Sequence, residues 1–578
     1  MKPSTIAIAA ILALTNGQSL YNISSSVSPG DNVLNSFMSY SIEFSSFPDF
    51  AGNKSNPNTY SDILLQNIAD IIGSKPHIRV GGNTQDYALY NASLTYALNG
   101  TYDLSKSPDY PTTIFIGPSY FESYSTWENV KFSHGLNMGL GGNSSAGWQT
   151  LLDTVPLVCK ALKGKLYMWQ YGNEPDLFSI STHGIMRPSS WNEETYVEQW
   201  QNGTRAIKSL IRENCPELLD DNSYGYLAPA FGGVGNKLKA PVAWEAGLNT
   251  DRVIKLFSTH NYISGAESPG VTLQGTLMNH TNTKRSVDAH VAEYRAIKKN
   301  DPSPPPPVFG EHNSLYNQGR PGLSNTFGAA LWGLDFNLYA ASVGFKRIHM
   351  HQGTNYRYGS WQPITTPKAT LGTKAPYYGN IALAVALGNT LLSPATVSHL
   401  PSHPQADRES AYAIYTHNGT SLARIVVLNL HSYNTTVDGA GIAPLPSPLP
   451  RANLTFTFTF TFTFTITSAS EGDSVPSPGT ELSVRRLMAA GSDAISGITW
   501  DGWSYNYELD GGRPVRLGNV TVGETVRVGE RGEVSVEVPD ASAVVLSFPV
   551  GSGGAVGGYD GDEGLAARGA DMGLGCDL

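Results

Sequence analysis

The chain has 578 residues, a formal net charge of −10 and charged side chains at only 15% of its positions. This length exceeds one ordinary domain of ~100–200 residues, so we expect a large domain with one further domain beside it. The acidic balance and the lack of any Lys/Arg cluster argue against nucleic acid or an anionic membrane as a partner, so we predict neither.

The N-terminus begins with Met1-Lys2, and an apolar run follows at residues 6–14 before several small residues. This pattern is typical of a secretory signal peptide, too short to span a bilayer, so we predict residues 1–19 to be a signal peptide and the protein to be secreted and extracellular. Many Asn-X-Ser/Thr sequons fit a glycoprotein. They begin at Asn22, Asn53, Asn91, Asn99, Asn143, Asn202, Asn279, Asn418, Asn434, Asn453 and Asn519.

Apolar strand-like runs then alternate with helix-like stretches. The predicted strands cover residues 37–44, 77–82, 135–141, 165–172, 224–230, 256–262, 308–311 and 346–352. A βα alternation of this length implies a parallel sheet, and eight units close it into a (β/α)₈ TIM barrel of the α/β class. We predict that the barrel domain covers residues 20–382.

After about Ala382 the pattern changes to short alternating strands with turn signals, one of them at residues 504–509. This predicts an antiparallel β-sandwich domain over residues 383–550. Within it, Thr and Phe alternate from Leu454 to Phe464, which places every Phe on one face of an extended strand. The Gly-rich segment 551–578 is predicted to be disordered.

Two of the apolar runs end in a glutamate. The run at residues 165–172 leads into Gly172-Asn173-Glu174-Pro175, and the run that starts at Pro307 leads into Gly310-Glu311-His312. A barrel places its chemistry at the carboxyl ends of its strands. Hydrolysis of a glycosidic bond needs two carboxyl groups, one to protonate the leaving oxygen and one to attack the anomeric carbon or direct water to it. The sequence therefore predicts Glu174 and Glu311 as a catalytic pair.

Together with residues 78–86 (IRVGGNTQD) and 311–319 (EHNSLYNQG), these segments resemble glycoside hydrolase family 79, particularly its fungal β-glucuronidases, over residues 36–548. The resemblance implies a retaining exo-β-glucuronidase that removes terminal glucuronic or 4-O-methylglucuronic acid. Glu174 would be the general acid and later the base, and Glu311 the nucleophile. It implies no cofactor, a carbohydrate substrate with a terminal β-linked uronic acid, and a sandwich that takes a strand from the N-terminus.

Residues near other strand ends are candidates for holding the sugar. Arg79 and Asn83 lie at the end of the second predicted strand. Asn173 can donate to the sugar 2-hydroxyl, and Tyr262 can hydrogen-bond the nucleophile and keep it ionised.

The resemblance implies that Tyr316 and Tyr358 bind the substrate carboxylate together with backbone amides after the eighth strand, with Arg357 ranked behind them. Each of these tyrosines could instead pack in the pocket wall, since a buried Tyr commonly needs only one polar partner.

Three cysteines are too few for a disulfide framework. Cys159 and Cys215 flank the Glu174 strand, and we interpret them as two buried thiols in preference to a bridge. His349 and His351 share one strand face and with His312 could mimic a metal site. No third ligand has a characteristic spacing, so we predict no metal.

Two alternatives remain open. One is an endo-acting, heparanase-like enzyme on the same barrel, although the chain has no Lys/Arg run for sulfated sugars beyond the cleavage point. The other is a catalytically silent carbohydrate-binding protein, against which the retained glutamate pair argues.

Overall fold

The computed structural model describes residues 18–24, 26–27, 32–181, 184–220, 224–401, 406–439, 441–461 and 477–549. Most of the predicted signal peptide, the Gly-rich segment with Cys576 and the end of the Thr/Phe run lie outside these residues. Within them, no helix is both long and apolar enough to cross a bilayer.

Eight parallel strands form a closed barrel, which confirms the predicted fold class. They are β1 Met38–Glu43, β2 Ile78–Gly81, β3 Phe132–Leu136, β4 Leu166–Tyr171, β5 Tyr226–Phe231, β6 Ile254–Gly265, β7 Pro307–Tyr316 and β8 Ile348–Gln352. Each strand pairs with the next in sequence, and β8 closes the ring on β1 with Ile348 opposite Met38. All eight carboxyl ends therefore face the same side of the barrel.

Helices surround the barrel. In the described part of the chain they are α1 Phe47–Ala51, α2 Thr59–Ile72, α3 Ser145–Ala161, α4 Glu193–Asn214, α5 Ala240–Glu245, α6 His280–Asn300, α7 Phe327–Ser342, α8 Ala375–Leu387 and α9 Tyr507–Asp510. The helices α7 and α8 are apolar on nearly every face because they are buried between the barrel and the second domain. The helix α8 crosses the predicted domain boundary at residue 382.

The predicted third strand at residues 135–141 was wrong by several residues, since β3 ends at Leu136. The apolar and glycine-rich segment after it is a loop. Its amides are held by side chains, because Asp86 accepts from Met138 and Gly139, at 2.7 and 2.9 Å. The backbone amides thus donate to a side chain, in place of the strand-to-strand hydrogen bonds that the apolar pattern predicted.

The barrel interior is apolar at its amino-terminal end and polar at the other. A separate buried apolar cluster fills the amino-terminal end and consists of Met168, Leu227, Leu256 and Val308. Two residues further along the same strands, Gln170 and Ser258 continue the inward alternation as buried polar groups. Polar side chains are therefore available at the carboxyl end of the barrel to hydrogen-bond the residues of the site.

The second domain is a β-sandwich. Its larger sheet has the order Thr396–Leu400, Glu409–Thr416, Ser421–Asn429, Ser542–Ser547, Glu481–Met488, Thr499–Trp500, Trp503–Ser504 and Val515–Arg516, with Glu524–Arg527 beside Glu481–Met488. Its smaller sheet contains Gln18–Ser24, Asn453–Thr461 and Glu533–Pro539. The N-terminal strand pairs in parallel with the Thr/Phe strand.

A shared core joins the two sheets of the sandwich. Phe456, Phe458 and Phe460 are buried in it, while Thr459 between two of them is exposed, so the period-two prediction holds as far as Phe460. The predicted strand at 504–509 is wrong, because only Trp503–Ser504 is extended and α9 follows. Tyr507 of α9 packs edge-on against Tyr60, 5.0 Å between ring centroids, which anchors this segment to the barrel.

Two small sheets lie in the segments that follow β2 and β8. Ala88–Tyr90, Leu98–Thr101 and Thr113–Ile116 form one after β2, and Trp361–Gln362 with Gly372–Thr373 forms another after β8.

Cys159 and Cys215 are buried but form a disulfide, so the preference for two thiols over a bridge was wrong. Cys159 lies in the last turn of α3 and Cys215 caps the end of α4, and because these neighbouring helices run parallel, their carboxyl ends bring the two Cα atoms to 6.2 Å. The bridge therefore ties together the two helices that flank β4.

Candidate active site

Glu174 follows β4 on a tight turn. Gly172 and Glu174 both have positive φ, 86° and 50°, and the Glu174 amide donates to the carbonyl of Ala230 in β5 at 2.9 Å. This turn directs the carboxylate over the mouth of the barrel, where its side chain stays 20% exposed. The Nδ1 atom of His260 lies 2.9 Å from its Oε1.

Glu311 points into the barrel because β7 carries a β-bulge. Phe309 and His312 both face outward and contact Phe336 of α7, although three positions separate them, so strict alternation is broken between them. Gly310 occupies the bulge, and an added Cβ would lie 2.1 Å from the Ser258 hydroxyl. The bulge thus requires glycine and turns the next residue, Glu311, inward.

The two predicted catalytic glutamates meet at the mouth of the barrel. One carboxylate oxygen of Glu174, one of Glu311 and a ring nitrogen of His260 all lie within 4.8 Å of one another. Retaining glycosidases hold their carboxyl groups ~5–5.5 Å apart, whereas inverting enzymes need ~6.5–9.5 Å to admit a water. The 4.8 Å bound is between single oxygen atoms of the two carboxylates, and it is compatible with the shorter of these separations.

Arg79 is fully buried and links both glutamate segments. Its guanidinium forms an ion pair with Oε2 of Glu311 and donates to the side-chain oxygen of Asn173 at 2.6 Å. It also donates to Gln170 at 2.9 Å and to Ser41 at 2.8 Å. Because all these contacts are to protein groups, Arg79 holds the site together rather than facing an empty pocket.

Tyr262 contacts the other oxygen of Glu311. Its hydroxyl donates to Oε1 at 2.8 Å and lies 3.5 Å from the Tyr358 hydroxyl. Tyr358 is 2% exposed and packs with Tyr110 and Tyr356 in a small aromatic cluster. These three rings, which we call the tyrosine cluster, form the wall beside Glu311.

Burial and the neighbouring carboxylate raise the pKa of Glu174 to about 8. Burial alone would also raise the pKa of Glu311, but His351, His260 and Arg79 outweigh it and bring that pKa below its ordinary range. His260 is itself buried, which lowers its pKa to about 3 and leaves the ring neutral. We therefore attribute the ionised state of Glu311 mainly to Arg79, whose charge is permanent, and to the Tyr262 hydrogen bond.

Two further buried carboxyl groups position the segment that carries Glu174. Asp86 accepts a hydrogen bond from the Asn173 amide at 2.6 Å, and burial raises the pKa of Asp86 to about 6. Asp176 accepts from the Gly232 amide and from Asn236, and burial followed by the charge of Glu174 raises the pKa of Asp176 to about 7. Both carboxyls fix the turn on which Glu174 sits.

A fifth carboxyl group of the site lies at the end of β1. Glu43 is 1% exposed and accepts from both the amide and the hydroxyl of Thr84. His351 stands between two carboxylates, with Nε2 3.5 Å from Glu43 and Nδ1 3.6 Å from Glu311. Its Nδ1 also lies 2.8 Å from the Ser41 hydroxyl.

The remaining predicted substrate residues lie at different depths. Asn173 is 4% exposed, and because its side-chain oxygen accepts from Arg79, its NH₂ group remains as a donor. Asn83 is partly buried and hydrogen-bonds Tyr110 of the tyrosine cluster. Tyr316 is 49% exposed at the end of β7, where its ring covers Gly265. Tyr316 thus belongs to the rim, whereas Asn173 belongs to the floor.

His312, His349 and His351 do not converge. His312 stacks on Phe336 outside the barrel, and His349 Nδ1 lies 2.9 Å from the Phe309 carbonyl. Among the residues that the structure describes, the group whose ligand atoms come together is instead Glu174, His260 and Glu311.

Sequence reasoning missed Ser41, Glu43, Asp86, Gln170 and Asp176. Glu43 could have been found, because it ends a barrel strand, which is where the sequence predicted Glu174 and Glu311 to lie, although β7 continues past Glu311 to Tyr316. Asp86 and Asp176 carry no such signal, since their roles depend on loops that fold back over the strand ends.

Comparison with known proteins agrees with this architecture. The family described as glycosyl hydrolase family 79 C-terminal beta domain matches residues 411–545. A β-glucuronidase of Neurospora crassa is 60% identical over 540 residues, which cover 90% of this chain and 95% of that protein. A β-glucuronidase of Aspergillus niger is 51% identical over 518 residues, which cover 89% of this chain and 91% of that protein.

Solved structures share the fold. A 4-O-α-L-rhamnosyl-β-D-glucuronidase from Fusarium oxysporum, in complex with Rha-GlcA, superposes with a TM-score of 0.70 at 23% identity and covers 92% of this chain and 100% of that one. A GH51 arabinofuranosidase from Xanthomonas axonopodis pv. citri gives 0.53 at 14% identity, covering 92% of this chain and 99% of that one. At these identities the structures show a common architecture alone.

Proposed function

The chain belongs to glycoside hydrolase family 79 and is a glycoside hydrolase, and from this premise we propose that it is a secreted, retaining exo-β-glucuronidase. Its substrate would be a glycan or glycoside that ends in a β-linked glucuronic or 4-O-methylglucuronic acid. The names of the two relatives, both β-glucuronidases, support the substrate class.

The observation that carries the mechanism is the approach of Glu174 and Glu311 to within 4.8 Å, with pKa values shifted in opposite directions. Two carboxyl groups whose surroundings separate their pKa values are suited to opposite roles. Glu174 holds its proton and is the general acid. Glu311 is ionised and is the nucleophile.

In the first step Glu311 attacks the anomeric carbon while Glu174 gives its proton to the leaving oxygen. A covalent glycosyl-enzyme forms and the aglycone leaves. Glu174, now ionised, takes a proton from water, which displaces Glu311 and releases the uronic acid with its β-configuration retained. Once Glu311 is esterified its negative charge is gone, so the pKa of Glu174 falls and suits a base.

Around the reacting carbon, we assign the free NH₂ of Asn173 to the sugar 2-hydroxyl, an interaction that strengthens in the oxocarbenium-like transition state. Tyr262 keeps Glu311 ionised and aimed. Arg79 and Asp86 are positioning residues, because they act through Glu311 and Asn173.

The substrate carboxylate needs partners in a pocket that already holds a negative Glu311. We assign Tyr358 from the tyrosine cluster and Tyr316 from the rim, with Asn83 supporting Tyr110 in the same wall. Arg357 is less suited, because it forms an ion pair with Asp109 at 2.7 Å and donates to the Gly319 carbonyl.

The same wall supports an exo mode of action. Asp109 pairs with both Arg357 and Lys368, which fastens the loop after β2 to the loop after β8 beside Glu311. The three rings of the tyrosine cluster are at most 5% exposed behind that seam. A site closed on one side accepts the end of a sugar chain more readily than its middle.

Secretion is supported by the N-terminal pattern and by the Cys159–Cys215 disulfide, since disulfides persist in oxidising compartments. A screen of the purified protein on aryl β-glucuronide, β-glucoside and β-xyloside tests the activity. We expect hydrolysis of the glucuronide, and proton NMR of the first product should show the β-anomer. Preference for the glucoside or xyloside would overturn the substrate, and an α-anomer would overturn the nucleophile.

A further inference from the structure

A cleft of about 810 Å³ lies on the outside of the barrel between α3 and α4. One wall is the start of α3 with the loop before it, including Asn143 and Trp148. The other is the first half of α4, including Gln199 and Asn202. The loop that follows Glu174 closes one end with Arg187 and Trp191.

The lining has the chemistry of a saccharide site. Trp148 is 36% exposed and offers an aromatic face, as carbohydrate-binding surfaces commonly do. Arg187 donates to Gln199 and to the carbonyls of Met138 and Gly139, which makes the polar end rigid. Such a mixture of one aromatic face and fixed polar groups suits a ligand with alternating apolar and hydroxyl surfaces.

The floor of the cleft contains an unpartnered hydroxyl. Tyr171 lines the cleft and is 1% exposed, and its OH has no hydrogen-bond partner among the described residues. A buried hydroxyl without a partner costs ~1–3 kcal/mol, and this one is covered by Gly203, the residue next to Asn202. The ring packs under Gly203, where an added Cβ would lie 2.5 Å from the hydroxyl.

Both asparagines in the walls are sequon residues. Asn143-Ser144-Ser145 precedes α3, and Asn202-Gly203-Thr204 lies within α4. Both asparagine side chains are exposed and line the cleft. Asn202 is the one whose neighbour, Gly203, rests directly on the unpartnered Tyr171 hydroxyl.

We propose that this cleft holds the first sugars of an N-linked glycan carried by Asn202. The sugars stack on Trp148 and lie over Gly203, which covers the Tyr171 hydroxyl. The glycan then covers the groove between two helices that the Cys159–Cys215 bridge joins at their far ends. The inference rests on the proposed secretion, because N-glycosylation occurs only on the secretory route.

The chain contains a matched control for this proposal. Asn99-Gly100-Thr101 is the same tripeptide as Asn202-Gly203-Thr204, and Asn99 is also exposed, but it lies on the small sheet after β2 and not in the cleft. The full chain would be secreted from a fungal host and its glycan occupancy mapped by glycopeptide mass spectrometry. The native protein would then be treated with an endoglycosidase that cuts within the glycan core.

We expect the Asn202 glycan to be released about tenfold more slowly than the Asn99 glycan, because the enzyme must wait for the sugars to leave the cleft. After denaturation the two rates should be equal. Trp148→Ala should bring the native Asn202 rate to that of Asn99 without changing activity on an aryl glucuronide. Asn202→Gln should lower Tm, whereas Asn99→Gln should not.

Equal native release from both sites, or an unoccupied Asn202, would overturn the proposal. Slow release confined to Asn143 would also overturn it and move the glycan to the opposite wall. A protein without glycan at any sequon would contradict secretion as well. The aryl glucuronide assay reports separately on the glycosidase function, so hydrolysis by a protein with a bare Asn202 would leave that function standing.

Discussion

Arg79 and Glu311 form an ion pair at the mouth of the barrel in which the arginine side chain is fully buried and the glutamate side chain is 7% exposed. The same guanidinium reaches Asn173, the residue before Glu174. The single guanidinium group therefore links Glu311 to the segment that carries Glu174. A guanidinium is suited to this because its donors have fixed directions.

Two replacements of Arg79 distinguish the effect of its positive charge from the effect of its hydrogen-bond geometry. Arg79→Lys keeps a positive charge but cannot reach all the partners, so we expect kcat on an aryl glucuronide to fall by ~10²-fold with the acidic limb of the pH profile unmoved. Arg79→Gln removes the charge as well, so the pKa of Glu311 should rise and the acidic limb should move to higher pH. An acidic limb that stays in place in Arg79→Gln would show that Arg79 does not keep Glu311 ionised. Thermal melts would exclude misfolding in either variant.

Glu311→Gln should lower kcat by ~10³-fold or more, since the attacking group is lost. Azide should restore part of the activity of Glu311→Gly on a substrate with a good leaving group, because the smaller side chain leaves room for it. The product should be the α-glucuronosyl azide, identified by NMR. A β-azide, or no rescue by azide in Glu311→Gly, would contradict the assignment of Glu311 as nucleophile.

Glu174→Gln should affect substrates according to their leaving groups. A poor leaving group such as an alkyl alcohol needs protonation, so its kcat/KM should fall by ~10²–10⁴-fold. A 2,4-dinitrophenyl group needs little protonation, and its kcat/KM should change far less. A uniform loss across a series of leaving-group pKa values would remove Glu174 from the role of general acid.

Glu174→Gln should also stabilise the protein, and more so as the pH rises. The pKa of Glu174 is about 8 in the folded protein against 4.5 ordinarily, so the folded state binds a proton that the unfolded state has released. The stability associated with this proton is present below pH 4.5 and is lost as the pH rises toward 8. The neutral amide avoids that loss.

The gain of Glu174→Gln over the parent protein should therefore be small at pH 5 and on the order of 2 kcal/mol at pH 8. Differential scanning calorimetry at both values would measure it. Glu198→Gln, on the exposed side of α4, is the control and should leave Tm unchanged at either pH. A gain for Glu174→Gln that does not grow with pH would contradict the raised pKa.

The fold could be predicted from the sequence because a barrel strand and its following helix have local signals. Runs that end in Glu174 and Glu311 place both carboxyls at the same end of the sheet through their positions in the βα alternation alone. The third strand was misplaced because Met138-Gly139-Leu140 is as apolar as a strand, although Asp86 holds it as a loop. A pattern of apolar residues does not report which partner satisfies the backbone.

The direction of Glu311 could not be predicted, because it depends on the bulge at Gly310 and alternation alone would point that side chain outward. The disulfide was equally hidden, since its formation depends on the packing of α3 against α4 and not on Cys spacing. The local sequence thus indicates which residues are candidates for catalysis. The directions of their side chains and the partners that hold them depend on contacts between segments far apart in the chain.

Recognition of a negatively charged sugar by an acidic protein gives a further test. The substrate carboxylate would lie near Glu311 and needs donors that offset its lost hydration, and a hydrogen bond to a charged group contributes ~1.5–3 kcal/mol. Tyr358 is buried within 3.5 Å of the Tyr262 hydroxyl, and Tyr316 stands on the rim. Either hydroxyl can donate to the substrate carboxylate, but only the Tyr358 hydroxyl also lies beside Tyr262.

Tyr358→Phe and Tyr316→Phe should each lower kcat/KM for an aryl glucuronide by about 10- to 100-fold. Residual activity on the matching glucoside, which lacks the carboxylate, should scarcely change. Tyr262→Phe is the control, because its hydroxyl acts on Glu311 and its loss should slow both substrates alike. If Tyr358→Phe also slows both substrates equally, the Tyr358 hydroxyl acts through Tyr262 on the nucleophile, and the carboxylate must be bound by Tyr316 or by backbone amides after β8.

Arg357 is the remaining side chain that could bind the substrate carboxylate, but only after its release from Asp109. In that case Asp109→Asn should raise activity on the glucuronide. Unchanged activity of Asp109→Asn would exclude Arg357 as the carboxylate partner.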